Sequence, residues 1–260
     1  MGILVGAYFF FQKTPAKEDV STANSERVAP LIPVPTTAVV PVIEPPKEEP
    51  IVIEKKTTEE KNPEFGITTA YPALKKGDVS VDDINATIRI FVDGTIKQFK
   101  DDFNNAKKEG STGNPDETWS LTIGYDTPYQ SSDYISLELS VDSYEGGAHP
   151  NGTVKTFVVD VKNQKILSLD DILISNTSLK DLSALAIADL KKRNVSDDDW
   201  ITSGASGKTE NYQAWYLSSN GLTILFSSYQ VAPYAAGVQE VTISPLKLSD
   251  LIKPEYILTK

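Results

Sequence analysis

One segment holds most of the residues with chemical potential: Tyr144-Glu145-Gly146-Gly147-Ala148-His149-Pro150-Asn151-Gly152. It carries the chain's single histidine, one acid, three glycines and a proline. His149 is the one side chain whose ordinary titration lies near neutrality, so Glu145 and His149 are readable as an acid/base pair on an exposed loop. The bland reading is a wide connection between strands, in which Gly146 and Gly147 serve backbone geometry and His149 bonds to the backbone. No nucleophile or second ligand lies beside them in sequence. A second distinctive segment runs from Phe226 to Gly237 and contains Tyr229, Pro233, Tyr234 and Gly237. Aromatic residues on such a shaped loop either anchor a partner or pack over a sheet end.

Other motifs carry less. Gly204-Ala205-Ser206-Gly207-Lys208-Thr209 resembles the end of a phosphate loop, but Thr202 stands where the first glycine of that motif belongs. It reads as a flexible polar loop. Asp197-Asp198-Asp199 lacks the alternating order of a calcium loop and reads as a solvated acidic turn. Serine and aspartate are plentiful, yet no G-x-S-x-G elbow occurs. The chain has no cysteine and one histidine, which excludes disulfides, thiolate sites and multi-histidine metal sites within one chain. No metal, cofactor or catalytic residue is expected, and the chain reads as a non-enzyme.

These loops need a scaffold. The chain has 260 residues and a net charge of −11, so nucleic acid is an improbable partner. Seven basic and nine acidic residues precede Glu64, leaving 18 and 27 beyond it, or −9 for the expected globular part. Residues 1–11 contain an uncharged apolar run, too short to cross a bilayer, that reads as the remnant of a membrane anchor. Residues 12–63 hold nine of the sixteen prolines and read as a disordered, Pro-rich linker, extended and unpacked.

Alternation predicts a strand over Phe65–Tyr71, ending at Pro72. From Val81 to Lys108, Ile84, Ile88, Phe91, Phe99 and Phe103 share a helical face, interrupted by the unfavourable Gly94. Strands are predicted over Thr118–Tyr125, Tyr134–Tyr144 and Thr153–Val161. A second helix follows over Leu179–Arg193, capped by Ser178. The end returns to strands, with a hairpin turn at Ser219-Asn220-Gly221. The expected fold is α+β: a mainly antiparallel sheet packed with two main helices. Ile84, Ile88, Phe91, Phe99, Leu137, Leu139, Val158, Leu182, Leu225 and Val241 are the expected core. Antiparallel connections collect at sheet ends, so the His149 and Tyr234 loops are expected to meet.

Ser143-Tyr144-Glu145-Gly146-Gly147-Ala148-His149-Pro150-Asn151, then Asp160 and Leu169-Asp170-Asp171-Ile172-Leu173, then Tyr229-Gln230-Val231-Ala232-Pro233-Tyr234-Ala235-Ala236-Gly237 resemble the extracytoplasmic domain pair of RsiV-type anti-sigma factors. The same pair occurs beside the catalytic domain of PdaC-type peptidoglycan deacetylases. The resemblance divides the globular part into a first module over 64–110 and a second over 111–260. It implies a membrane-tethered binding or sensing module outside the bacterial cytoplasm, without the anti-sigma segment and without the deacetylase domain. Its implied partner is a cationic envelope protein such as a lysozyme, or a cell-wall ligand. The binding face would comprise Tyr144, Glu145, Gly146, Gly147, His149, Tyr229 and Tyr234. The alternative is a cell-wall-active enzyme using Glu145 and His149.

Overall fold

A computed structural model of the chain describes residues 50–77, 79–113 and 118–258. The expected anchor over 1–11 and most of the linker lie outside them. The described part of the linker departs from expectation. Ile51–Lys61 is a strand, β1, paired antiparallel along its whole length with β2 (Phe65–Lys76). Its sequence hides this because only Ile51 is buried. Glu54, Lys55, Lys56, Glu59, Glu60 and Lys61 project from a strand at the sheet edge, where charge blocks further pairing.

β2 also runs through Pro72 instead of stopping there. Its pairing with β4 (Trp119–Gln130) ends at Thr69, and its pairing with β3 (Val79–Ser80) begins at Lys75. Between them β2 has a neighbour on one side only, where a missing amide is tolerated. Asn85 completes the free side: its side chain accepts from Leu74 N–H at 2.7 Å and donates to Leu74 C=O at 2.9 Å. That asparagine lies on α1 (Asp82–Glu109), an unbroken helix that passes through Gly94 and ends at left-handed Gly110.

The main sheet has the order β1-β2-β4-β5-β6-β7, with β5 (Tyr134–Tyr144), β6 (Asn151–Asp160) and β7 (Lys165–Leu167), and β3 added beside β2. All its pairings are antiparallel except β2 with β4, which α1 joins as a crossover. α1 covers one face. Ile84, Ile88, Val92, Phe99 and Phe103 pack there with Leu121, Ile123, Leu137, Leu139 and Phe157. Val92 is buried where Phe91 was expected; Phe91 is half-buried, edge-on to Phe157 at 6.1 Å. The other expected core residues are buried.

The opposite face is covered by the C-terminal elements. These are α2 (Leu169–Ile172), α3 (Ser178–Arg193), α4 (Asp198–Gly204), the strands β8 (Trp215–Ser218), β9 (Gly221–Phe226) and β10 (Gln239–Ile243), and α5 (Pro245–Leu248). The three strands form an antiparallel sheet in the order β10-β9-β8. Val158 and Leu167 join this second core while their neighbours Phe157 and Val159 join the first, as the two-residue period of a strand requires. The polar residues of β5 are therefore not all solvated: Ser136 is buried and donates to Leu217 C=O at 2.6 Å. Burial, with Glu240 and Asp126 nearby, raises the Glu138 carboxyl above its ordinary value.

Ser178 does not cap α3. It is buried as the first helical residue, and its Oγ accepts from Ser175 N–H at 3.3 Å. The architecture is α+β with a large, mainly antiparallel sheet and two long helices. No helix among the described residues is long and apolar enough to cross a membrane.

Candidate functional site

The loop after β5 and the loop after β9 meet. His149 stacks on Tyr234 with ring centroids 3.9 Å apart and planes at 17°. His149 Nε2 lies 3.1 Å from the Tyr229 hydroxyl, and Nδ1 lies 2.9 Å from Pro150 C=O. A carbonyl only accepts, so in the neutral ring Nδ1 carries the proton and Nε2 accepts from Tyr229 O–H. Tyr229 and Tyr234 face each other at 5.7 Å. The three rings form one surface.

Tyr229 is held in an unusual state. Its φ is +70°, in the left-handed region that non-glycine residues seldom occupy, and it is 51% exposed. Such backbone persists where surrounding contacts over-determine it, and it concentrates at functional sites. Here the contacts are visible. Trp200 Nε1–H donates to Tyr229 C=O at 3.0 Å. The next residue, Gln230, donates through Nε2 to Gly204 C=O at 3.1 Å and Asn211 C=O at 2.9 Å. Trp200 is placed by α4, whose first turn is capped by Asp197 accepting from Trp200 N–H at 2.9 Å. The acidic run is thus a helix start that positions a supporting tryptophan, and its three aspartates are solvated as expected. An aspartate three residues before a large apolar residue was the available signal.

The Gly204–Thr209 segment is likewise not a flexible loop. Gly204 packs against the Gln230 carbonyl, and a Cβ on Gly207 would stand 3.2 Å from Lys180 Cα. Ala205 is buried, and its C=O accepts from Ser183 Oγ and Tyr212 O–H at 2.6 and 2.7 Å. Burial pushes the Tyr212 phenol up to about 12.

Among the described residues no hydrogen bond or ring contact joins the remaining expected site residues to the three rings. Tyr144 closes β5, opposite Ser120. Glu145 Oε1 accepts from Ser143 Oγ at 2.9 Å and lines a hollow of about 410 Å³ against α1, with Phe91, Gly94, Gln98 and Asp102. Among the described residues no hydrogen bond or ion pair joins Glu145 to His149. Gly146 has φ +75°, and its backbone abuts that of Gly113, leaving no room for a Cβ on either. Gly147 meets nothing within 4 Å, so no crowding demands a glycine there. No group of acidic or histidine side chains suited to a metal ion occurs among the described residues.

The sequence of this α+β chain matches two known domain types. The chain carries both halves of this pair: the family "Deacetylase PdaC" matches residues 58–152, and the "Protein of unknown function (DUF3298)" family matches residues 170–245. The first match begins inside β1 and ends in β6. The chain is similar to the peptidoglycan-N-acetylmuramic acid deacetylase PdaC of Bacillus subtilis (strain 168), at 26% identity over 196 residues. That match covers 74% of this chain and 40% of the enzyme. Crystal structures of DUF3298 family proteins from Pseudomonas aeruginosa and Bacteroides fragilis share the fold at TM-scores of 0.59 and 0.56. Each is 18% identical; the first match covers 82% of this chain and 99% of its own, the second 80% and 96%.

Proposed function

We propose that this protein is a binding module of the bacterial cell envelope that captures its partner on the His149–Tyr229–Tyr234 surface. The observation that carries the reading is the His149–Tyr234 stack, which unites two loops distant in sequence and leaves a strained, half-exposed tyrosine at its edge. Rings fixed in advance supply contact area at little entropic cost, as binding anchors do. The envelope setting is supported by the similarity to a peptidoglycan deacetylase and by the resemblance to tethered extracytoplasmic sensors. A net charge of −11 favours a cationic partner, for which lysozyme is the probe of choice; a cell-wall fragment is the second probe. The acid/base reading of Glu145 and His149 lacks comparable support, because each engages its own partners.

The test is calorimetric titration of the full chain with lysozyme and, separately, with soluble peptidoglycan fragments. His149→Ala and Tyr229→Ala should each weaken binding of one probe at least about tenfold, as loss of an interface anchor does. Their melting temperatures should stay near the parent's. Parent-like binding by both variants would overturn the reading.

A further inference from the structure

We infer that the outer edge of β6 is a second docking site, which takes an extended polypeptide strand from a partner protein. β6 pairs with β5 at every position from Asn151 to Asp160, but with β7 only at Val158, Val159 and Asp160. The parity of the strand decides which backbone groups are left over. Val161 N–H bonds to Asp133 C=O on the β5 side, so odd-numbered residues of β6 face β5 and even-numbered ones face outward. Val158 and Asp160 meet β7. Gly152, Val154 and Thr156 turn their amide and carbonyl groups to an edge that no strand among the described residues occupies.

The edge opens into a hollow of about 570 Å³. Ile90 and Phe91 of α1 line it together with Leu167, Leu169, Gln213 and Trp215. Ile90 is 70% exposed there. A repeating donor and acceptor pair every second residue, beside an apolar hollow, matches the backbone and alternate side chains of an added strand. The other edge of the same sheet shows what protection looks like: β1 carries six charged residues of eleven. The part of β6 without a strand on its outer side, Gly152-Thr153-Val154-Lys155-Thr156-Phe157, carries one, Lys155; at its inner end Thr156 and Phe157 are buried, and Thr156 Oγ1 accepts from Trp215 N–H at 2.8 Å. Charge selects the occupant. Two copies of a chain at −11 repel each other, so the strand belongs to a partner that is neutral or cationic around its apolar residues. This inference does not rest on the aromatic surface.

The experiment selects binders to the full chain from a displayed library of random ten-residue peptides, then resynthesises them with N-methyl groups on alternate residues. Methylation of one alternate set should weaken binding at least tenfold while the other set leaves it unchanged, because only one set faces β6. Amide exchange at Val154 and Thr156 should slow on binding. Val154→Pro, which removes an outward amide at an edge, should abolish binding; the peptide arm stands even if that variant misfolds. Binders indifferent to both methylated sets, or the absence of any binder that protects Val154 and Thr156, would overturn the inference. So would protection of these amides without peptide: if lost on deleting residues 1–49, it assigns the edge to the chain's own N-terminal segment, and if concentration-dependent, to a second copy.

Discussion

Replacing Gly204 by alanine tests how the strained tyrosine is held. Gly204 ends α4, and a Cβ there would overlap the Gln230 carbonyl oxygen, 2.7 Å from its carbon and 3.0 Å from Val231 Cγ1. The obstacle is backbone, so no rotamer change relieves it. Nor is that backbone free to retreat. Gln230 N–H donates to Ser227 C=O at 2.9 Å, its Oε1 accepts from Ser227 N–H at 3.2 Å, and its Nε2 holds Gly204 and Asn211. Displacing Gln230 forfeits most of these four bonds. At roughly 1 kcal/mol each the loss is about 3–4 kcal/mol. For a folded unit of this size that lowers the melting temperature on the order of 10 °C. Tyr229 precedes Gln230, so the same shift should part its hydroxyl from His149. Urea denaturation gives the first quantity, and the His149 ring resonances report the second. Gly94→Ala is the internal control: Gly94 is exposed in mid-helix, meets nothing within 4 Å, and should gain about 1 kcal/mol. A loss below about 1 kcal/mol for Gly204→Ala, with unmoved His149 resonances, would refute the idea that close backbone packing fixes Tyr229.

Phe99→Ala should cost about 3–5 kcal/mol in chemical denaturation, since the ring is buried between Phe65 and Trp119; half-buried Phe91→Ala should cost clearly less. Asp171, bonded to Lys165 and then to Ser168, has its carboxyl drawn down from 3.8 to about 2. A depressed carboxyl stabilises the fold above its unfolded value and loses that contribution as pH falls through the folded one, so Asp171→Asn should melt earlier at neutral pH. The difference, on the order of 1 kcal/mol for a lost helix cap and exposed ion pair, should shrink between pH 3.8 and about 2. Glu138 is the opposite case: burial first, then Glu240 and Asp126, raise its carboxyl, so the charged form opposes folding above the folded pKa. Glu138→Gln should raise the melting temperature at pH 7, and the gain should vanish as the pH falls below the ordinary value of 4.5.

What the sequence revealed and what it hid follow one physical distinction. Periodicity reports which face of an element meets apolar surroundings, so the alternation in β5 and the apolar stripe of α1 were legible. It does not report a backbone's partners. β1 buries little beyond Ile51 and is held by its ladder with β2, so a strand with eight lysine, glutamate and threonine residues among its eleven read as linker. The parallel pairing of β2 with β4 was invisible for the same reason, and so was the burial of Ser136 on the polar side of β5. The candidate site divides likewise. That two rigid loops at sheet ends would meet was inferable from turn chemistry, and His149 and Tyr234 do stack. Trp200 and Gln230 act through a carbonyl and a side-chain amide on another segment's backbone, contacts with no periodic trace. Glu145 was grouped with His149 by nearness in sequence, yet Gly146, at φ +75° against Gly113, turns the chain between them. Gly146, read as mere geometry, is therefore the turn that stands between the acid and the histidine. His149 instead joins Tyr229 and Tyr234 in one aromatic surface.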